Sequence, residues 1–189
     1  QLRVGLVGYG EVGRILAEDL RARGVARISA YDIKLGTAQD GPLVAHAAQH
    51  GVRLATSHGV LAEDAELVLC AVTASQTVVV AEAWAPAVRP GTWFLDFNSA
   101  SPGAKVEAAA LIDGAGGRYV EGAVMTSVPP YRIRVPLLLG GLFKQANNRS
   151  PAEAFAAMAD QRADDRLGME RLIRKHPLDA YRFNPHFPV

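Results

Sequence analysis

The sequence contains one cysteine, Cys70, so no disulfide can form within the chain. Cys70 lies in the apolar run Leu67-Val68-Leu69-Cys70-Ala71-Val72, which reads as a buried strand and makes the thiol a small core hydrophobe. A reducing, cytoplasmic compartment is therefore the expected location. No charge of one sign dominates: 20 Lys and Arg face 19 Asp and Glu, for a net charge of +1. That balance leaves no electrostatic footprint for nucleic acid. Long apolar runs are missing as well, and none approaches the ~20 residues needed to span a bilayer. The first residues read as a strand rather than a signal peptide, and Gln1 directly before that strand leads us to expect a shortened chain. Metal-ligand spacing is lacking too. The histidines are His46, His50, His58, His176 and His186, and they form no recognisable set with Cys70 or with one another. His46 and His50 stand one helical turn apart, but no HExxH surrounds them, so surface positions are expected.

What the chain does have is a hydrophobic share of 49% over 189 residues, enough for one well-buried domain and part of another. Its most telling segment is Val4-Gly5-Leu6-Val7-Gly8-Tyr9-Gly10-Glu11-Val12-Gly13. A short apolar strand ends in Gly-x-Gly-x-x-Gly, and an amphipathic helix pattern follows at once. In a dinucleotide-binding turn, Gly8 permits the tight strand-to-helix reversal. Gly10 lets backbone approach a pyrophosphate, and Gly13 lets the helix pack close to the strand. The free N–H groups and positive helix end of Glu11, Val12 and Gly13 then face the phosphates. Asp32 follows Gly13 by 19 residues and closes a second apolar run, where an acid accepts hydrogen bonds from the adenosine ribose. The cofactor-binding set is thus Gly8, Tyr9, Gly10, Glu11, Val12, Gly13 and Asp32. NAD is expected over NADP, because the Asp32 charge repels a 2′-phosphate, with Lys34 and Arg53 as cations that soften the preference.

Strand and helix patterns alternate through the first two thirds of the chain. Leu2 to Val7 reads as a strand, Glu11 to Arg23 as a helix with Val12, Ile15, Leu16 and Leu20 on one face, and Arg27 to Tyr31 as the second strand. Pro42 to His50 reads as a helix and Val52 to Ala55 as a short strand. Glu66 to Val72 is a near-continuous apolar strand, of the kind covered on both faces. Ser75 to Ala85 is a helix and Thr92 to Phe97 a strand. Ser101-Pro102 offers an N-cap and N1 proline for a helix to about Asp113, and Arg118 to Val124 is the next strand. The fold class is α/β, a Rossmann-type doubly wound parallel sheet over residues 1–141. Val128 to Tyr131 then reads as a turn, Tyr131-Arg132-Ile133-Arg134 as an edge strand with outward arginines, with anionic-substrate binding as the alternative, and Arg134 to Leu139 as one more apolar strand. Residues 142–189 read as a helical extension, with a helix start at Ser150-Pro151-Ala152-Glu153.

Residues 2–141 resemble the cofactor domain of the 6-phosphogluconate dehydrogenase and 3-hydroxyisobutyrate dehydrogenase superfamily. The resemblance rests on GLVGYGEVG at 5–13, CAVTAS at 70–75, FLDFNSASP at 94–102 and YVEGAVMTSVPPYRIRVPLLLGG at 119–141. It implies that Val72 and Thr73 lie along the nicotinamide-side ribose and that Asn98 and Ser99 sit near nicotinamide and substrate. From the residues alone, Asn98-Ser99 also reads as a turn with a helix cap. Glu121 to Ser127, with Gly122 and Ala123, takes the place of the family's substrate loop but lacks its Gly-Gly pair. The family's lysine-bearing catalytic pattern is absent. Instead, LGGLFKQANNRSPAEAF at 139–155 and RFNPHFPV at 182–189 are similar to 2-hydroxychromene-2-carboxylate isomerase and kappa-class glutathione transferases, and imply a substrate-binding role for Lys144, Asn147 and Asn148. The expectation is a chimera joined at Val135 to Gly141.

Together these readings point to an NAD-dependent oxidoreductase domain moving hydride from a CH–OH group of a small hydroxyacid, in a chain expected to form a homodimer. Lys105 is the nearest acid–base candidate in the sequence. The alternatives are a non-catalytic NAD-binding module and a remnant of the glutathione-dependent isomerase.

Overall fold

The computed structural model describes residues 2–140. The helix start at Ser150, the isomerase-like residues Lys144, Asn147 and Asn148, and the histidines His176 and His186 lie outside the described residues. Seven strands form one sheet: β1 (Arg3–Val7), β2 (Arg27–Tyr31), β3 (Arg53–Leu54), β4 (Leu67–Cys70), β5 (Trp93–Asp96), β6 (Arg118–Val124) and β7 (Leu137–Gly140). Their order is β3-β2-β1-β4-β5-β6-β7. The first six are parallel, and β7 pairs antiparallel with β6, with Gly122 opposite Leu139. The helices are α1 (Glu11–Ala22), α2 (Gly41–His50), α3 (His58–Ala62), α4 (Thr77–Trp84), α5 (Pro102–Gly114) and α6 (Val128–Tyr131). The expected doubly wound Rossmann-type sheet is present.

Apolar runs become the central strands because both faces of the sheet are covered. All four residues of β4 are buried, as a parallel strand between two helix layers requires. In β1, Val4 and Leu6 enter the core beneath α1 and α2, whereas Val7 enters the core beneath α3, α4 and α5. α1 buries Gly13, Leu16, Ala17 and Leu20, an i, i+3, i+4, i+7 stripe, and leaves its polar face outward. α5 begins as its sequence demands, with Ser101 Oγ accepting the Ala104 N–H at 3.3 Å and Pro102 in the first turn. The five-residue α3 was not foreseen. It is too short to show a period, and its signal is the Ser57 cap, whose hydroxyl accepts the Val60 N–H.

The segment after β6 corrects the sequence reading. The turn at Val128–Tyr131 is a single helical turn, and the apolar strand expected from Arg134 starts at Leu137. Arg132–Arg134 forms a 3₁₀ turn in between. Arg132 adopts φ 55°, a conformation costing on the order of 1–3 kcal/mol for a residue with a side chain. Acidic residues of α1 hold it there. Arg132 Nη2 donates to Glu18 Oε2 at 2.6 Å, Arg132 Nε donates to Asp19 Oδ1 at 2.9 Å, and the Ile133 N–H donates to Asp19 Oδ2 at 2.9 Å. The arginine expected to face outward from a strand is thus drawn onto α1, and Ile133 is carried into the core.

Candidate functional site

The chain leaves β1 toward β2 on one side and β4 toward β5 on the other, so a crevice opens between the carboxyl ends of β1 and β4. Open α/β sheets bind ligands at such a switch point. The turn after β1 and the turn after β4 touch across it. Gly8 has φ +88°, and a Cβ there would lie 2.3 Å from the Ala71 carbonyl oxygen and 3.0 Å from Val72 Cγ1. A Cβ on Gly13 would lie 2.1 Å from the Gly8 carbonyl oxygen, so the close helix–strand approach expected of it is real. Gly10 differs from both. Its φ is −72°, and a Cβ would meet no protein atom within 4 Å. Neither backbone conformation nor internal packing demands a glycine there. As N-cap of α1, Gly10 also brings no side chain to the first N–H groups of the helix, whose positive end favours an anion. Such a turn fits a pyrophosphate.

Asp32 sits at the end of β2 and is buried. Its Oδ2 accepts the Tyr9 N–H at 2.8 Å and its Oδ1 accepts the Lys34 N–H at 2.9 Å, so the carboxylate stitches β2 to the glycine-rich turn. An ionised carboxyl offers about four acceptor positions, which leaves room for ribose hydroxyls. Arg53, expected to soften the cofactor preference, is turned to other partners: Nε donates to Ser29 Oγ and Nη2 lies 3.7 Å from Asp64 Oδ2. Glu11 is exposed in the first turn of α1, and Val12 packs partly against the core.

Val72, Thr73, Asn98 and Ser99 gather at the same end of the sheet. Thr73 and Ser99 are exposed. Asn98 is buried, with both side-chain polar atoms and its backbone N–H engaged. Its Oδ1 accepts the Val72 N–H at 2.7 Å, its Nδ2 donates to Cys70 Sγ at 3.4 Å, and its N–H donates to Asp96 Oδ1 at 2.8 Å. Asn98 therefore ties the end of β5 to the end of β4 and shapes the Val72-Thr73 turn, while the helix cap is Ser101. Gly122 and Ala123 lie within β6, over the range Arg118 to Val124 that the sequence reads as a strand, and a Cβ on Gly122 would come 2.7 Å from Phe97 Cδ1. Gly122 is small because the Phe97 ring fills the space above it.

Lys105 is turned inward. Its Nζ lies 3.1 Å from Asp96 Oδ2 and donates to the Asp96 carbonyl at 3.2 Å, with both side chains almost fully buried. Tyr119 Oη donates to the same Asp96 Oδ2 at 2.5 Å. Burial, then the Asp96 hydrogen bond, pushes this phenol far above its ordinary range. Burial likewise pushes the Cys70 thiol up to about 12. Sequence reasoning missed this trio; its signal was an aspartate closing the apolar run Trp93-Phe94-Leu95, with a lysine nine residues on.

The histidines also correct the sequence reading, because α1 packs against α2 and makes a polar seam instead of a surface. His46 is mostly buried. Tyr9 Oη lies 2.8 Å from His46 Nδ1, and His46 Nε2 lies 3.0 Å from Glu18 Oε1. Burial pushes the Tyr9 hydroxyl up to about 12, so it keeps its proton. Hydrogen bonds from His46 and Arg132 hold the Glu18 carboxyl below its ordinary value. The His50 ring stacks on that of His46 at 4.3 Å between centroids. On the other face, His58 Nδ1 accepts the Trp84 Nε1–H at 3.0 Å, and burial lowers the His58 pKa.

A family model described as NADP oxidoreductase coenzyme F420-dependent matches residues 3–98, from β1 through Asn98. The chain belongs to that family. Its described part is an NAD(P)-binding oxidoreductase domain of the hydroxyacid dehydrogenase-like fold. Among solved structures, a conserved hypothetical protein from Sinorhizobium meliloti 1021 is 37% identical, with a TM-score of 0.68 over 73% of this chain and 46% of that one. MTH1747, a conserved protein of unknown function with structural similarity to 3-hydroxyacid dehydrogenases, is 28% identical, with a TM-score of 0.64 over 84% of this chain and 54% of that one. The Mycobacterium tuberculosis 3-hydroxyisobutyrate dehydrogenase solved with L-serine shares the fold at 21% identity, with a TM-score of 0.64 over 75% of this chain and 47% of that one. This member of the family thus spans about half the length of the structures it resembles. No curated protein sequence matched it. Among the described residues no helix is long and apolar enough to cross a membrane.

Proposed function

We propose that this chain is the cofactor-binding part of a dehydrogenase that takes hydride from the CH–OH group of a small hydroxyacid, and that it prefers NAD to NADP. The observation carrying this reading is the turn at the head of α1, where Gly8 and Gly13 are packed tight while Gly10 leaves open space beside the first N–H groups of the helix. The turn Gly8 to Gly13 would hold the pyrophosphate through backbone N–H groups, and Asp32 would accept from the ribose while opposing a 2′-phosphate. Thr73 and Ser99 would border the nicotinamide and substrate, with Asn98 holding the Val72-Thr73 turn in position. When bound, the nicotinamide supplies the hydride acceptor.

Calorimetric titration with NAD, NADP and glutathione tests the reading, followed by nicotinamide fluorescence during incubation with a panel of small hydroxyacids. NAD should bind more tightly than NADP, and Asp32→Ala should narrow the gap. Absence of NAD and NADP binding would overturn the cofactor assignment, and tighter NADP binding would overturn the preference.

A non-catalytic NAD-binding module is the second reading. It is favoured by Lys105, whose ammonium is spent on Asp96, since acid–base help is typically worth ~10²–10⁴ in rate. Turnover by this chain without a partner protein argues against that module, and glutathione binding would favour the isomerase remnant. A cytoplasmic homodimer remains part of the proposal, and sedimentation velocity reads its oligomeric state.

A further inference from the structure

The seam between α1 and α2 gathers more ligand chemistry than packing two helices requires. His46 and His50 stand one turn apart on α2, and Glu18 faces them from α1. One donor atom from each of the three lies within 4.8 Å of the others. Ligands of a tetrahedral zinc sit about 3.3 Å apart at the usual bond lengths, so rotamer adjustments of little more than an ångström would converge the set. The donors are also supported from behind, as metal ligands usually are. His46 Nδ1 is held by the Tyr9 hydroxyl, which leaves Nε2 as the atom to offer. Glu18 Oε2 is held by Arg132, which leaves Oε1, already 3.0 Å from His46 Nε2. The His50 ring nitrogens have no hydrogen-bond partner among the described residues, although the ring is stacked in place on His46. Two imidazoles and one carboxylate form a donor set of borderline softness, suited to zinc rather than to calcium or magnesium.

We propose that Glu18, His46 and His50 bind a divalent transition metal of the zinc type and so clamp α2 to α1 beside the glycine-rich turn. Protons balance on binding. The proton that His46 Nε2 shares with Glu18 moves to Nδ1, which then donates to the Tyr9 oxygen, while the carboxylate stays ionised. The clamp is independent of the substrate reading, because it needs only the packing of α1 on α2.

The test is titration of zinc chloride into the full chain, stripped beforehand with a chelator, together with the absorption spectrum of the cobalt(II)-loaded protein. One zinc should bind per chain, and cobalt should give the ligand-field bands of a site containing imidazole. His50→Ala should abolish the strong phase. Tyr9→Phe, which keeps the ring and removes the oxygen behind His46, should weaken binding by about 10–100-fold. The double variant His46→Ala/His50→Ala keeps His58, His176, His186 and Cys70, so it controls for adventitious ligands. Unchanged zinc binding in the double variant would overturn the proposal, as would the absence of strong zinc binding in the unmodified chain. Circular dichroism matching the parent chain establishes that each variant is folded, and Glu18→Gln provides an independent ligand deletion should a histidine variant fail to fold.

Discussion

Gly10 and Gly13 stand three residues apart in one motif, yet alanine at each should fail in opposite ways. At Gly13 the new Cβ would lie 2.1 Å from the Gly8 carbonyl oxygen, a backbone atom in a turn already pressed against Ala71. Overpacking typically costs about 1–3 kcal/mol, and a clash with backbone rather than a flexible side chain belongs at the upper end, about 2–3 kcal/mol. Alanine returns about 1 kcal/mol of helix propensity. A net loss of about 1–2 kcal/mol is expected, which lowers Tm by roughly 2–8 °C for a chain of this size. At Gly10 the Cβ meets open space at an ordinary φ, so Gly10→Ala should leave the ligand-free Tm unchanged to within about 2 °C. Its defect should appear only with cofactor. NAD at 100 times its dissociation constant stabilises the parent by roughly 2.7 kcal/mol, and Gly10→Ala or the bulkier Gly10→Val should lose that gain. Thermal melts of the three proteins with and without saturating NAD decide the matter. If Gly10→Ala melts as early as Gly13→Ala without ligand, or keeps the full NAD shift, the reasoning about the turn is wrong.

Three further outcomes follow from the buried polar groups. His58 has a folded pKa lowered by burial, so its stabilising contribution is complete above its unfolded value of about 6.5 and is lost as pH falls through the lowered folded value. In a Trp93→Phe background, Trp84 fluorescence and Tm should step together in that acid window, and a His58→Gln variant that keeps the step would refute the assignment. Cys70, buried with a thiol pushed up to about 12, should react with a disulfide reagent only as the chain unfolds; fast labelling of the native protein would contradict its placement. Lys105→Met should cost about 3–5 kcal/mol in urea unfolding, because it strands the Asp96 charge. Adding Asp96→Asn should recover part of that loss, and a single variant as stable as the parent would mean the pair is not buried as described.

How much was legible in the sequence follows from how local each signal is. The β1–turn–α1 unit, its three glycine positions, the end of β2 at Asp32 and the Ser101 cap were readable because neighbours in the chain create them. Period, turn chemistry and capping need no distant partner. The alternation of strands and helices carried the doubly wound sheet for the same reason, since parallel strands need helical crossovers. Tertiary structure decided whatever depends on residues far apart. Arg132 reads as an outward charge until Glu18 and Asp19, more than a hundred residues earlier, turn it onto α1 and shift the start of β7. Lys105 reads as a candidate acid–base group until Asp96 and Tyr119 enclose it. Gly122 reads as an unexplained gap in a strand until the Phe97 ring takes the place of its Cβ. His46 reads as a surface residue until Tyr9 and Glu18 close over it. In each case the sequence by itself determined the residue's chemistry and its place along an element. Its partner, and therefore its charge state, exposure and role, was decided only when the sheet and its helices packed, because a side chain's environment is set by contacts in space rather than by spacing along the chain.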